Sequence, residues 1–236
     1  SVIIGAFFII VFNGRGGGDN GNNEEELKRA GQTVLVSYDE GENWKDTSIF
    51  GNFDVRQIFL SKRDAGKIFA VTEGNGIYKK EKNSDKWEKL FPPAGVKNPK
   101  GTLFYYITED YKDNVYISEY INNRGKVIKY NLKDKSEEDI FETPLKKYAV
   151  FGINSSFNGD NIKIVASDGG FYESRDSGYS WRVLRRFKEG LLSMETNSAA
   201  GDFFTATSKG KILKFSPKAE DFIDLSDGLN EFDKSN

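Results

Sequence analysis

The amino-acid sequence predicts an all-β protein made of repeated four-stranded antiparallel units. Three observations support this prediction. A β-rich hairpin pattern occurs four times, glycine-containing turns separate its paired runs, and no convincing amphipathic helix lies between the repeats. Aromatic residues make up 14% of the chain, which supplies the large side chains that a folded core buries. We therefore expect an ordered repeat protein and not a disordered chain.

Each predicted unit has a hairpin at its centre, formed by two β-rich runs and a short turn in which glycine allows a positive φ. The four hairpins span residues 67–78, 114–130, 161–172 and 202–213. An apolar or aromatic run precedes each hairpin, at residues 58–60, 103–107, 149–153 and 191–194. Another run follows each hairpin after a polar turn and is opened by an aromatic residue, namely Trp87, Phe141, Trp181 or Phe222. Each unit is therefore predicted to contain four strands.

The period of the repeat identifies the fold class. Equivalent positions in the third strands are Ser37, Lys80, Tyr130, Ser174 and Phe215, which are separated by 43, 50, 44 and 41 residues. Four-stranded units at about 40–45 residues are typical of a β-propeller, in which each sheet is one blade. We expect about four and a half blades, with only the two outer strands of the first. Because a propeller closes into a ring, we also expect a fragment, cut at both ends, of a six- or seven-bladed parent.

Two turns share the pattern S-x-D-x-G-x-x-W. Its members are Ser37, Asp39, Gly41 and Trp44 in one copy, and Ser174, Asp176, Gly178 and Trp181 in the other. A short Asp side chain can accept backbone N–H groups within a tight turn, the glycine permits a positive φ, and the tryptophan is expected to bury its ring under the turn. These residues are therefore predicted to be structural, although a catalytic or metal-binding role for the two aspartates stays open.

This pattern resembles the Asp-box, or BNR repeat, of sialidases, sortilin-type receptors, some glucan hydrolases and the propeller assembly factors of photosystem II. The resemblance implies a β-propeller in which the box lies at the blade periphery, away from any active site. It does not extend to the sialidase arginines. No F/Y-R-I-P stretch precedes Ser37, and Arg56 follows the first box without the proline. Sialidase activity is therefore not expected.

Composition excludes several function classes. The chain of 236 residues contains neither cysteine nor histidine, which excludes disulfides, Cys/His zinc sites, haem held by these residues and Ser-His or Cys-His nucleophile pairs. We predict no cofactor and no metal. The formal net charge is −2, whereas a nucleic-acid-binding domain normally has an excess of basic residues. No nucleic-acid partner is expected.

The amino-terminal part differs from the repeats. Residues 2–12 are apolar and without charge, so residues 1–13 are predicted to be a truncated membrane anchor or signal. The alternative is a buried β-strand, because Ile, Val and Phe are good strand formers. Residues 14–30 are rich in glycine and asparagine and are predicted to be a flexible linker, which leaves 31–236 as the propeller. This layout predicts a membrane-anchored domain on the extracytoplasmic side.

The evidence for functional residues is weaker than the evidence for the fold. A glycoside hydrolase needs two carboxylates in one cleft, and Glu109, Asp110 and Glu119 are available, but spacing alone does not pair them. Four tyrosines could line a sugar-binding face or belong to the core between blades: Tyr105, Tyr106, Tyr116 and Tyr120. Four basic residues of an outer strand are interpreted as a solvated edge: Arg182, Arg185, Arg186 and Lys188.

The function predicted from these observations is a non-catalytic, membrane-tethered binding or assembly platform. Its partner would be a protein or a glycan. The alternative is a glycoside hydrolase, of sialidase or glucanase type, on the same scaffold.

Overall fold

A computed structural model describes residues 8–12, 33–37, 41–46, 54–82, 84, 86–97, 99–197, 201–219 and 221–227. Within these ranges the chain forms β-strands, turns and irregular segments, and no α-helix. Accordingly, this part of the chain contains no helix with the length and apolar character needed to cross a membrane. The chain divides into two compact units, residues 1–104 and 105–236.

The first unit contains two antiparallel sheets. The first sheet has the order β1-β2-β3, with β1 at Phe8–Phe12, β2 at Thr33–Ser37 and β3 at Lys45–Asp46. The second sheet has four strands in chain order, β4 at Val55–Leu60, β5 at Ile68–Thr72, β6 at Gly76–Lys80 and β7 at Trp87–Phe91. Buried side chains from both sheets form one cluster, which includes Val34 and Val36 of β2, Ile68 and Ala70 of β5, and Trp87 of β7.

Strand β1 changes the interpretation of the amino-terminal apolar run. Residues 8–12 pair antiparallel with Thr33–Ser37, from Phe8 opposite Ser37 to Phe12 opposite Thr33. This is the strand alternative to the predicted anchor. Its physical basis is the high strand propensity of Ile, Val and Phe, combined with a second β-rich run whose backbone groups it can pair. The first sheet consequently has three described strands and not only two. Residues 1–7 and 13, and the linker predicted at 14–30, lie outside the described residues.

The second unit is built from three four-stranded antiparallel sheets, each in chain order. The third sheet has β8 at Leu103–Glu109, which begins in the first unit, β9 at Asn114–Ile121, β10 at Arg124–Asn131 and β11 at Glu137–Glu142. The fourth sheet has β12 at Val150–Ser155, β13 at Ile162–Ala166, β14 at Gly170–Ser174 and β15 at Arg182–Arg186. The fifth sheet has β16 at Glu195–Asn197, β17 at Asp202–Ala206, β18 at Ile212–Ser216 and β19 at Asp221–Asp224.

The fourth sheet is buried on both faces, because successive residues of a strand point to opposite sides. Ile162 and Ile164 of β13 belong to a cluster with Tyr116 and other buried side chains of the third sheet. Val165, from the other face of β13, belongs to a cluster with Phe203 and other side chains of the fifth sheet. Sheets stacked face to face in this way are the arrangement expected of propeller blades.

The predicted fold class is confirmed: more than half of the described residues are in strands, and four of the described sheets have four antiparallel strands. One predicted strand was misplaced. The apolar run at residues 191–194 precedes the first strand of the fifth sheet, which is Glu195–Asn197. Leu191 and Met194 are buried in the cluster between the fourth and fifth sheets, so their apolar character reflects core packing and not the strand itself.

Candidate functional site

The turn that joins β14 to β15 contains one copy of the S-x-D-x-G-x-x-W pattern. The Ser174 hydroxyl oxygen accepts a hydrogen bond from the Gly178 amide at 2.8 Å, and the hydroxyl donates to Asp176 Oδ1 at 2.8 Å. Asp176 also accepts the Ser180 amide at 2.9 Å and the Ser180 hydroxyl at 2.5 Å. Hydrogen bonds from Ser180, together with the one from Ser174, lower the pKa of the Asp176 carboxyl. The carboxylate is thus used to close the turn.

The tryptophan of this turn connects two sheets. Trp181 Nε1 donates to the Gly178 carbonyl at 3.0 Å and to the Ile140 carbonyl of β11 at 2.7 Å. Its ring packs edge-on against Phe141, with the centroids 4.9 Å apart. Gly178 has a φ of 101°, and a Cβ there would lie 2.8 Å from Ile140 Cβ. The glycine therefore provides both the backbone conformation and the close approach of the turn to the third sheet.

The other copy has the same two local hydrogen bonds. The Gly41 amide donates to Ser37 Oγ at 2.8 Å, and Trp44 Nε1 donates to the Gly41 carbonyl at 3.0 Å. Gly41 also has a positive φ, of 92°. Asp39 lies outside the described residues. Trp44 is 37% exposed, so its ring is not buried as the sequence analysis expected.

Asp110, one of the carboxylates considered for glycoside hydrolysis, is buried in the turn between β8 and β9. Its Oδ1 accepts the amides of Lys112 at 2.7 Å and Asn114 at 3.0 Å. Its Oδ2 accepts the Asn114 side-chain amide at 2.8 Å and the Tyr116 hydroxyl at 2.9 Å. Burial, followed by the charge and hydrogen bond of Asp110, raises the pKa of Tyr116. With four hydrogen bonds inside the fold, Asp110 has the environment of a structural carboxylate.

The other two carboxylates are also buried. Glu109 is the last residue of β8, and its carbonyl accepts the Ser155 hydroxyl at 2.9 Å. Glu119 lies on β9, opposite Lys126 of β10. Burial and the negative charge of Asp139 raise the pKa of Glu119 to about 7, and Lys126 opposes this only in part. The protonation of the Glu119 carboxyl therefore changes near neutral pH.

The four tyrosines considered for sugar binding do not share one environment. Tyr116 is fully buried, and Tyr106 packs against the same core and donates its hydroxyl to the Met194 carbonyl at 3.0 Å. Tyr105 packs edge-on against Phe151, whereas the Tyr120 hydroxyl donates to Asn123 Oδ1 at 3.3 Å. Tyr106 and Tyr116 therefore follow the core interpretation.

A charged ladder crosses the fourth sheet. Lys163 of β13 lies opposite Glu173 of β14, and Glu173 lies opposite Arg182 of β15. Lys163 Nζ is 3.2 Å from Glu173 Oε1, and Arg182 donates to Oε2 through Nε at 2.8 Å and through Nη2 at 2.5 Å. Arg175, from the turn after β14, donates to the same oxygen at 2.8 Å. One buried carboxylate thus holds three cations.

Glu173 stays ionised in this environment. Burial alone would raise its pKa, but hydrogen bonds from Arg182, Lys163 and Asn161 outweigh burial and lower the pKa to about 2. Lys163 is itself buried, donates to Asn161 Oδ1 at 2.8 Å and lies 5.1 Å from the centre of the Phe203 ring. The lysine is therefore fixed by a hydrogen bond, an ion pair and a cation–π contact.

These side chains line a cavity of about 380 Å³, which we call the Glu173 cavity. Its polar wall is Asn161, Lys163, Glu173, Arg175 and Arg182, and its apolar wall is Val183, Leu184, Phe215 and Pro217. Lys163 and Arg182 share the single carboxylate of Glu173, so this pair of cations brings one more positive charge than Glu173 neutralises. Such a site attracts anionic groups.

The sequence does not predict this cavity, and Arg182 is expected from it to lie on a solvated edge. Part of that interpretation holds, because the Arg182 side chain is 49% exposed. A signal was nevertheless present: Lys163 and Glu173 lie at equal distances on either side of Asp168, in the turn of the β13–β14 hairpin. Opposite charges placed symmetrically about a hairpin turn face each other across the two strands. A neighbouring basic residue, Arg186, likewise binds a buried partner, Asp168 Oδ2, at 3.0 Å.

Metal binding finds no support in the described ranges, where no three acidic residues are grouped so that they could hold an ion.

Comparison with known proteins shows that the chain is similar to several solved structures in its fold. No protein-family model and no curated protein matches the chain. The crystal structure of a nidogen–laminin complex matches with a TM-score of 0.60 and 13% identity over 82% of this chain and 71% of that chain. YCF48 bound to a D1 peptide matches with a TM-score of 0.58 and 14% identity, over 78% of this chain and 58% of that one. YCF48 from Cyanidioschyzon merolae matches with a TM-score of 0.57 and 15% identity, over 79% of this chain and 64% of that one.

The chain thus spans less than two thirds of either YCF48 chain. At sequence identities of 13–15%, these structural similarities establish the fold alone. Together with the stacked four-stranded sheets, they show that the chain has a β-propeller fold.

Proposed function

We propose that the chain is a non-catalytic β-propeller that binds a protein partner and uses the Glu173 cavity as a contact site. The observation that carries this proposal is that Lys163 and Arg182 share one carboxylate, Glu173, in a cavity that apolar residues also line. Two of the similar structures are complexes, of nidogen with laminin and of YCF48 with a D1 peptide. They support a protein, in preference to a glycan, as the partner.

The environment of the acidic residues supports a non-catalytic role. A retaining or inverting glycosidase needs two carboxyl groups on either side of a substrate bond. Asp110 uses both of its oxygens in hydrogen bonds within the fold, and Glu173 is held by three cations. Neither carboxylate can take up a substrate proton without losing these partners.

The repeated turns fit the Asp-box proposal. In both copies the serine accepts the glycine amide and the tryptophan donates to the glycine carbonyl. We propose that these turns are Asp-boxes and that their role is to join strands and sheets. Membrane tethering is not part of the proposal, because Phe8–Phe12 pair within a sheet. An extracytoplasmic location stays a prediction.

One observation favours the alternative, a glycoside hydrolase. Glu119 is a buried carboxyl with a pKa raised to about 7, which is the property of a general acid in such enzymes. If the chain were a hydrolase that used Glu119, the full chain would release reducing sugar from a polysaccharide, and Glu119→Gln would abolish this release.

The proposal is tested by two measurements on the full chain. Proteins that co-purify with the tagged chain are produced separately, and each purified pair is titrated by calorimetry. A pair that binds with a Kd in the micromolar range or below supports the proposed function. The same chain is incubated with a panel of polysaccharides, and reducing ends are assayed. Release of reducing sugar, or failure of every purified candidate to bind, would overturn the proposal.

A further inference from the structure

We propose that the Glu173 cavity binds an acidic residue of a partner polypeptide together with an apolar residue next to it. This inference rests on the proposed function and names the chemistry of the segment that the partner supplies. It follows from three features of the cavity, which are its uncompensated charge, the fixed orientation of its cations and its apolar wall.

The first feature is charge that Glu173 does not neutralise. Among the residues that line the cavity, Lys163 and Arg182 both bind the single carboxylate of Glu173. Since Glu173 has a pKa of about 2, it is ionised at all physiological pH values and its charge is already counted. A ligand that brings one carboxylate would balance the remaining charge of this pair.

The second feature is that one arginine keeps donors for a ligand. Arg182 uses Nε and Nη2 for Glu173 Oε2. Within the described ranges no acceptor is bound to its Nη1, and the side chain is 49% exposed. Glu173 therefore holds the guanidinium in one orientation and leaves part of it accessible. Such preorganisation lowers the entropic cost of binding, and a planar guanidinium suits a carboxylate well.

The third feature distinguishes a peptide from a small anion. The cavity is also lined by the apolar residues Val183, Leu184, Phe215 and Pro217. A cavity of about 380 Å³ is much larger than one carboxylate needs and falls in the range that accepts organic ligands. An inorganic anion would leave the apolar wall in contact with water, whereas an acidic residue with an apolar neighbour would cover both walls.

Two other surfaces give less support for a binding site. Tyr111 and Phe157 are exposed and stacked, with centroids 3.9 Å apart, but nothing in the structure indicates what covers them. The cavity bounded by Phe187 and Phe222 contains acidic and basic residues together, so its charge does not select a ligand.

The experiment uses the full chain and a fluorescein-labelled peptide with amidated carboxyl end that contains two Glu-Phe pairs between Gly-Ser spacers. Binding is measured by fluorescence anisotropy at low salt. The matched control peptide has Gln in place of each Glu. The test variant is Arg182→Gln, and the matched control is Arg185→Gln, which removes the same charge from the same strand, outside the Glu173 cavity. Far-UV circular dichroism checks that both variants fold.

We expect the Glu-Phe peptide to bind the native chain and Arg185→Gln with a Kd within twofold of each other. Arg182→Gln should weaken binding about tenfold, as expected for the loss of a charge-assisted hydrogen bond, and the Gln-Phe peptide should bind at least tenfold more weakly than the Glu-Phe peptide. Equal losses in the two variants, equal binding of the two peptides, or displacement of the peptide by an equimolar amount of inorganic phosphate would overturn the inference. If these results occur while a purified partner protein still binds the chain and slows amide exchange around the Glu173 cavity, only the inference fails and the proposed function stands.

Discussion

The two tryptophans of the repeated turns provide a matched test of what the turns do. Trp181 and Trp44 each donate to the glycine carbonyl of their own turn, at 3.0 Å in both cases. Trp181 also donates to the Ile140 carbonyl of the neighbouring sheet and packs against Phe141. Replacing each tryptophan by phenylalanine keeps an aromatic ring and removes the indole N–H, so the two variants differ chiefly in the bond between sheets.

The magnitude follows from the burial of the orphaned acceptor. Ile140 is buried and lies at the β-bulge between β10 and β11 without a register partner in β10, and its carbonyl accepts the indole N–H of Trp181. An unsatisfied buried acceptor costs about 1–3 kcal/mol. We therefore expect Trp181→Phe to lower the free energy of unfolding by about 2 kcal/mol, which for a chain of this size lowers Tm by about 4–8 °C. Trp44→Phe should cost about 0.5 kcal/mol or less, because it affects only an exposed turn.

The assay is urea unfolding of the full chain and both variants, followed by far-UV circular dichroism, which does not depend on the altered tryptophans. Thermal unfolding provides a second measurement. The reasoning would be refuted if the two substitutions had equal effects, or if Trp44→Phe were the more destabilising.

Three further predictions concern pH, a buried carboxylate and a turn glycine. The pKa of Glu119 is raised from 4.5 to about 7. Its contribution to stability is therefore fully present below pH 4.5 and is lost as the pH rises through 7. Glu119→Gln should consequently be more stable than the native chain at pH 8, by up to about 3 kcal/mol, and similar to it at pH 4. A pH series of urea unfolding curves that ran parallel for the two proteins would contradict this. Asp110→Ala should destabilise the chain by about 3 kcal/mol or more, because it leaves the Tyr116 hydroxyl and two amides without their acceptor; a change below 1 kcal/mol in the same assay would argue against the structural role. Gly178→Ala and Gly41→Ala both place a side chain at positive φ, but only the former meets a neighbour at 2.8 Å, so its loss of Tm should be clearly the larger.

The sequence was sufficient for the fold because the evidence for it is local. Strand runs, glycine turns and the spacing of third strands predict four-stranded units, and all four hairpins form where they were predicted. An apolar run can have two physical explanations. Phe8–Phe12 fit a membrane segment or a strand of a sheet, whereas the run at residues 191–194 was predicted as a strand and packs in the core ahead of it. Hydrophobicity alone does not separate these possibilities, since burial in a sheet and burial in lipid favour the same side chains.

The candidate site was harder to predict because it depends on register and on stacking between sheets. Lys163, Glu173 and Arg182 lie on three strands and become neighbours only when both hairpin registers are known. The apolar wall includes Phe215 from the next sheet, which no pattern within one repeat indicates. Arg182 was therefore interpreted as one charge on an exposed strand, whereas its partner is a buried carboxylate on the adjacent strand.

Hydrogen exchange of the chain with and without a purified partner shows whether that partner binds at the Glu173 cavity. We expect the partner to slow amide exchange in residues 161–163, 173–175 and 182–184, which surround the cavity. Slowing confined to other parts of the chain, with these three segments unchanged, would contradict binding at this cavity.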